Sequence, residues 1–162
     1  MENYGKIEEN KLEKIAIVAI SLANLKKKND KFNILAEKEV EAQLNDLTQP
    51  IDIRFILSSF PRLGIKSKKI LDHCEKHVIE GAGELTLSNI EQIVTTTQAT
   101  KFSKGFYDAL GGRLNSLVEE NLSQVDKSKG EHFLSVLQKW ESAGLYKNEE
   151  LVTRLRDHIK LL

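Results

Sequence analysis

Apolar residues recur at helical spacing along nearly the whole chain, and this feature limits the possible fold more than any other. One helix face is predicted by Ile15, Val18, Ala19, Leu22 and Leu25, which follow the i, i+3, i+4, i+7 pattern. Similar faces predict seven more helices, separated by Asn-Asp, Gly and capping Ser or Thr residues, and no segment has the pattern of a strand. Only 2 Pro and 6% aromatic residues argue against an all-β fold. We therefore predict an all-α chain of eight helices.

The eight predicted helices repeat in pairs. The first helix of each pair shares an apolar pattern, and so does the second, roughly every 40 residues. We interpret this as a short α-solenoid of about four antiparallel helical hairpins in a single domain spanning residues 1–162, with units near 11–46, 49–82, 86–120 and 129–162. The alternative is accidental self-similarity, because all helices share one period. The matched first-helix positions are Ile15, Val18, Ala19, Leu22; Ile53, Ile56, Leu57, Phe60; Ile90, Ile93, Val94, Thr97; and Phe133, Val136, Leu137, Trp140.

Composition excludes several classes of protein. The chain has 162 residues, with 24 Lys plus Arg against 24 Asp plus Glu, so it lacks the basic excess of a dedicated nucleic-acid binder. Its 1 Cys excludes a disulfide framework. The most apolar run, Ile15 to Leu25, is too short for a membrane span of about 20 residues. Acidic residues before this run, at Glu2, Glu8, Glu9 and Glu13, argue against a signal peptide and an intact mitochondrial presequence; a presequence already removed remains open.

The stretch from Ile56 to Val78, ILSSFPRLGIKSKKILDHCEKHV, resembles a heptatricopeptide-type unit. Such arrays occur in the FAST-kinase-like and RAP-domain proteins of organelles, and octotricopeptide repeats are similar. The turns Leu63-Gly64-Ile65 and Ala143-Gly144-Leu145 fit the family's pattern, whereas Thr100-Lys101-Phe102 in the third unit lacks Gly. The resemblance implies a mitochondrial location, with a cytoplasmic one as the alternative. It also implies a role in organellar RNA processing or in an assembly such as the mitoribosome or a respiratory complex.

His73, Cys74 and His77 form the nearest approach to a metal-binding motif. Two His residues at i and i+4 share a helix face and can chelate zinc. Cys74, however, lies in the core phase of the repeat and is expected to point away from both. We therefore predict two solvated His side chains, no metal and no cofactor.

Short basic clusters mark the possible contacts with RNA. They lie near predicted hairpin turns, and an aligned row of them would bind phosphates. Acidic neighbours, Glu149-Glu150 at the matching place in the fourth unit, and the core phase of most Phe residues favour a solvated surface instead. RNA binding is therefore the alternative to protein binding. The candidate contacts are Lys27, Lys28, Lys66, Lys68, Lys69 and Lys104.

No sequence motif indicates catalysis. The chain has neither a Gly-x-Ser-x-Gly nucleophile motif nor a Gly-rich phosphate loop, so we predict a protein that is not an enzyme. Gly111-Gly112 is unusual within a strong helical pattern, and predicts a close approach by a neighbouring helix, a close approach by a partner, or a kink. Thr95-Thr96-Thr97 adds a poorly helical segment in the same unit.

The first helix is apolar beyond its packing face. Ala16, Ile17, Ile20 and Ala23 add apolar surface around the helix, although a terminal repeat normally presents a polar outer side. We predict that these four residues form an interface with a protein partner, with a second copy, or with the segment Met1 to Asn10. The predicted function is a scaffold or adaptor that binds proteins within a larger assembly.

Overall fold

A computed structural model describes residues 11–162, and the predicted contact of residues 1–10 with the first helix lies outside this range. The described residues are all-helical without a strand, and the prediction of eight helices is confirmed for them. None of these helices is long and apolar enough to cross a membrane. In order they are α1 (Lys11–Asn24), α2 (Asp30–Ala42), α3 (Pro50–Leu63), α4 (Lys68–Glu80), α5 (Leu87–Val94), α6 (Lys104–Glu120), α7 (Lys127–Ser142) and α8 (Glu149–Lys160).

A side-chain cap begins the second helix of each predicted pair. The capping oxygen accepts a hydrogen bond from the backbone N–H three residues later, at the first core position of the helix. The four caps are Asn29 to Phe32 (3.0 Å), Ser67 to Ile70 (3.5 Å), Ser103 to Phe106 (3.4 Å) and Asn148 to Leu151 (2.9 Å).

Three of the four first helices end in the same turn. In this turn a backbone N–H donates a hydrogen bond to the carbonyl oxygen of the core residue five positions earlier. Ile65 donates in this way to Phe60, and Leu145 to Trp140, both at 2.8 Å. This 6→1 bond belongs to a Schellman motif with one left-handed residue, and the recurrence predicted between these two turns is confirmed. Phe60 and Trp140 are both buried, as their matched positions predict. In the third pair, α5 instead continues into the 3₁₀ segment Thr95–Gln98.

The described chain divides into two compact units. Unit 1 comprises residues 11–78 and Thr95–Lys101, and unit 2 comprises Ile79–Val94 and Phe102–Leu162. In unit 1, α1 packs along α3, and α3 also contacts Thr95–Gln98. Small buried side chains on the two packed helices allow a short distance between their axes: Ala16, Ala19 and Ala23 on α1, and Ser58 and Ser59 on α3.

Unit 2 is organised around α6. This helix contacts α5 and α8, and α7 packs against α8 and α5. Its Tyr107 lies edge-on to Trp140 of α7, with ring centroids 5.1 Å apart, and Trp140 lies edge-on to Tyr146 at 6.2 Å. Such edge-to-face pairs add to the energy of apolar burial. The rest of the core is aliphatic and Phe-rich, from Ile90, Ile93, Phe106, Leu110, Leu114, Phe133, Leu137, Leu151 and Leu155.

Candidate protein-interaction surface

The packing of α1 differs from its predicted phase. Ala16, Ile20 and Ala23, predicted to face a partner, are buried within the chain. Val18 and Leu25, predicted to lie on the packing face, are instead 44% and 66% exposed. The reason is that the alanines of α1 pack against α3, so that Ile17 and Val18 on the opposite side of the helix face solvent. Of the four residues predicted for the interface, Ile17 alone is exposed, and its role there stays a prediction.

The exposed apolar side chains concentrate on α1, α2 and the turn between them. The described residues include eight exposed large apolar side chains, and five of them belong to this hairpin. We call these five the first-hairpin surface. They are Ile17, Val18, Leu25, Ile34 and Leu35; the other three are Ile51, Leu161 and Leu162.

An ion pair shows which sides of the two helices meet. Lys11 at the start of α1 bonds Glu39 near the end of α2, with Nζ 2.7 Å from Oε2. Val18 lies two turns beyond Lys11 on the same stripe of α1, and Leu35 lies one turn before Glu39 on the same stripe of α2. Val18 and Leu35 therefore lie on one side of the hairpin, and Leu25 follows in the turn after α1.

Arg62 fixes the end of α1. Its Nη2 donates to the carbonyl oxygen of Ala23 at 3.0 Å and to Oδ1 of Asn24 at 3.2 Å, satisfying acceptors at the helix C-terminus. Burial lowers the pKa of the Arg62 guanidinium from its ordinary value. From the other helix, Asn33 Nδ2 donates to the carbonyl oxygen of Leu63 at 2.9 Å. The turn between α1 and α2 is thus held at both ends.

Two of the lysines predicted to contact RNA are paired with aspartates. Lys68 Nζ lies 2.5 Å from Asp72 Oδ2, and Lys104 Nζ lies 3.0 Å from Asp108 Oδ1. Each pair joins the first residue of a helix to the residue one turn later, which neutralises the charge locally. The four other candidates have no ion pair with a described residue: Lys27, Lys28, Lys66 and Lys69.

The two His residues of α4, predicted to be solvated, are instead half-buried and bond to backbone carbonyls. His73 Nε2 donates to the carbonyl oxygen of Leu47 at 2.7 Å, and His77 Nδ1 donates to that of His73 at 2.8 Å. Cys74 is fully buried, and burial raises the pKa of its thiol to about 12, which makes it inert as a ligand at neutral pH. No group of three potential metal ligands occurs among residues 11–162.

The contact of His73 belongs to a recurring arrangement that sequence reasoning missed. After three of the predicted helix pairs, a short 3₁₀ segment is followed by a buried aliphatic residue, whose carbonyl accepts a hydrogen bond from the second helix of the next predicted pair. The three pairs are Leu47 with His73 (2.7 Å), Leu85 with Arg113 (3.0 Å) and Val125 with His158 (2.7 Å). The aliphatic residue after each polar linker was the one signal available in the sequence.

The two adjacent glycines of α6 have different surroundings. A Cβ at Gly111 would overlap the ring of Tyr146, whereas one at Gly112 would meet nothing. The close approach at Gly111 is made by Tyr146 in the turn between α7 and α8, and not by a neighbouring helix, a partner or a kink as predicted. Nothing in the structure explains Gly112.

A groove in unit 2 is the second surface feature of interest. It is an open, shallow groove of about 620 Å³ along α8 and the adjoining 3₁₀ segment Leu122–Gln124. Three carboxylates and one guanidinium line it, and Arg154 binds both Glu119 (2.8 Å) and Glu150 (2.9 Å). Among the lining residues carboxylates outnumber cations, and Lys147 and Lys160 lie beside two of these carboxylates, Glu149 and Asp157. Its lining residues are Leu122, Glu149, Glu150, Thr153, Arg154, Asp157, His158 and Leu161.

Comparison with known proteins finds no relative of this chain. Neither the models of protein families, nor the curated proteins, nor the solved structures contain a match to the chain.

Proposed function

We propose that the chain is a non-catalytic helical-repeat scaffold, which binds a protein through the first-hairpin surface within a larger assembly. The observation that carries this proposal is the concentration of exposed apolar side chains on α1, α2 and their turn. Clustered apolar surface on a soluble domain is typical of protein-interaction sites. Val18 and Leu35 form the centre of the proposed contact, because they lie on the same side of the hairpin.

The proposed architecture is a short solenoid of four hairpins. Three recurring features support it: the capped second helices, the left-handed turns, and the linker carbonyls bonded by the following hairpin. A repeat at the end of such an array normally carries a polar outer side. The outer side of the first hairpin instead mixes exposed apolar side chains, among them Ile17 and Val18, with polar ones, and these apolar side chains support a covering protein at this place.

The assembly that we propose is mitochondrial, such as the mitoribosome or a respiratory complex. This part of the proposal depends on the resemblance of Ile56 to Val78 to heptatricopeptide-type units. A cytoplasmic assembly is the alternative, and imaging of the tagged full chain in its native cells distinguishes them.

The test compares proteins recovered with the tagged chain from native cells. Val18→Asp combined with Leu35→Asp places two charges on the proposed contact and is expected to remove the partner. Ile51→Asp is the matched control, because Ile51 is 50% exposed but lies outside the first-hairpin surface. Both variants are first checked for wild-type helix content by circular dichroism. Equal recovery of all proteins by the wild type and the double variant contradicts the proposal.

RNA binding in organellar processing or stability is the second candidate function. It is favoured by the lysines without ion pairs at two hairpin turns, Lys27, Lys28, Lys66 and Lys69. Phosphate contacts release counterions, so RNA affinity falls with salt by a logarithmic slope of about 0.7 per contact. The scaffold proposal expects no tight, salt-sensitive binding of single-stranded RNA by the isolated chain. Such binding, lost on Lys27→Glu with Lys28→Glu, supports the second candidate instead.

A further inference from the structure

The turn between α1 and α2 departs from the two other left-handed turns. At the left-handed position, Lys26 has φ 54°, where the other turns have glycines at φ 87° and 69°. Leu25, directly before it, is 66% exposed, while the matching Leu63 is 2% exposed. The residue after it is Lys27, where the α3 turn has the buried Ile65.

The turn between α1 and α2 therefore lacks both the glycine and the two buried aliphatic side chains of the α3 turn. A non-glycine residue in the left-handed region is strained, and strain of this kind clusters at functional sites. The result is an exposed leucine followed by three consecutive lysines, for which no ion pair with a described residue occurs. The turn therefore presents one apolar side chain and a concentrated positive charge.

The groove of unit 2 has the complementary chemistry. Leu122 and Leu161 provide apolar lining, and Glu149, Glu150 and Asp157 outnumber the single Arg154. Each of the three carboxylates has a cationic neighbour: Lys147 for Glu149, Arg154 for Glu150 and Lys160 for Asp157. Their side chains nevertheless stay 78%, 77% and 66% exposed, so their outer oxygens can accept further hydrogen bonds. Opposite charges around an apolar contact are the usual basis of specific protein association.

We propose that residues 25–28 of one copy bind the groove of a second copy of the chain. Leu25 contacts Leu122 and Leu161, while Lys27 and Lys28 face the carboxylates of the groove. The inference rests on the proposed protein-binding function, because it names a partner for the turn within the first-hairpin surface. The two contacting surfaces are unlike, so a reciprocal arrangement closes as a dimer and a one-way arrangement adds further copies.

A second copy explains the turn better than RNA does. Lysines alone suffice for phosphate contacts, and an exposed leucine gains nothing from a sugar–phosphate backbone. The groove, in contrast, offers both an apolar contact and carboxylates.

The test is the molar mass of the full chain by light scattering over a range of protein and salt concentrations. The expected mass exceeds the monomer value of 18.4 kDa and decreases towards it at high salt. Two charge-reversed variants are each expected to be monomeric. One reverses the turn, Lys27→Glu with Lys28→Glu, and the other reverses the groove, Glu150→Lys with Asp157→Lys. Mixing them is expected to restore association, because the reversed turn then complements the reversed groove.

The matched control is Lys66→Glu with Lys69→Glu. It makes the same charge change near the α3 turn, where Ile65 is buried, and is expected to leave the mass of the wild type unchanged. Leu25→Asp tests the apolar contact and is expected to give a monomer. Circular dichroism confirms that each variant keeps its helix content.

Three results overturn the inference: a wild type of 18.4 kDa at all concentrations, a mass that neither reversal alters, or a mixture that stays monomeric. If the wild type is monomeric and reversal of the turn instead abolishes binding of a labelled oligouridine, the turn is an RNA contact. The self-association and the proposed function can fail independently of each other. A monomeric wild type whose partner is still lost on Val18→Asp with Leu35→Asp removes the self-association and leaves the scaffold.

Discussion

The ring of Tyr146 lies on Gly111 of α6, so close that a Cβ at position 111 would overlap its Cε1, Cε2 and Cζ atoms. A Cβ at the next residue, Gly112, would meet no other atom within 4 Å. The two glycines are thus an internal pair, in which one is required by packing and the other is not.

Gly111→Ala is expected to destabilise the chain by about 1–3 kcal/mol, the usual cost of overpacking. Gly112→Ala is expected to stabilise it by about 0.5–1 kcal/mol, because alanine is the better helix former. Denaturant unfolding monitored by circular dichroism measures both. In a Tyr146→Ala background the penalty at Gly111 disappears; a penalty that persists there places the overlap elsewhere.

We expect the stability of the folded chain to depend on pH through Asp52. Burial, and secondly the charge of Glu13, raise the pKa of this carboxyl above its ordinary value. The folded state therefore holds the proton more tightly than the unfolded state, whose pKa is about 3.9. The resulting cost to stability is absent below that value, grows as the pH rises, and is complete above the folded-state pKa.

Asp52→Asn removes this cost, so its gain in stability is expected to be larger at pH 7 than at pH 3. Denaturant unfolding of the variant and the wild type at both values gives the difference. Asp46→Asn, at an exposed aspartate of the Leu44–Asp46 segment, is the control. A gain of equal size at both pH values would show that Asp52 acts through packing and not through its charge.

His73 and His77 are expected to differ in their contribution to stability. His73→Leu leaves the carbonyl of Leu47, a residue only 1% exposed, without its side-chain donor, which costs about 1–3 kcal/mol. His77 bonds only within its own helix, so His77→Leu is expected to cost well under about 1 kcal/mol. Thermal unfolding ranks the two, and the reverse order rejects the role given to the linker carbonyl.

The capped ends and left-handed turns could be predicted from sequence because single residue types encode them. Ser67, Ser103 and Asn148 accept the hydrogen bonds of helix starts, and Gly64 and Gly144 occupy positive φ. These features depend on local backbone geometry alone. They set the number and the bounds of most helices before any packing is known.

The phase of α1 could not be predicted, because Ala16 to Ile20 are apolar on every side of the helix. The small residues Ser58 and Ser59 on α3 favour packing against the alanines of α1, and the periodicity of the α1 sequence carries no information about this contact. The partner of His73 was equally hidden, since a backbone carbonyl is present at every position. The groove depends on Leu122 and α8 coming together in the folded unit.

Lys26→Gly is expected to stabilise the chain by about 0.5–1 kcal/mol. Relief of the left-handed strain gains about 1–2 kcal/mol, and the added freedom of glycine in the unfolded chain offsets part of it. Gly64→Lys, at the same place in the α3 turn, is expected to lose about 1–2 kcal/mol. Denaturant unfolding measures both, and a loss of stability on Lys26→Gly would show that the lysine is favourable where it stands.

The most direct measurement of the central claim is site-specific photo-crosslinking in native cells. A photoreactive amino acid is placed at position 18, 35 or 51 of the full chain, and crosslinked products are identified. The account predicts the same protein partner at positions 18 and 35, and none at position 51. Equal crosslinking at all three positions, or crosslinks to RNA alone, would contradict a protein-binding first-hairpin surface.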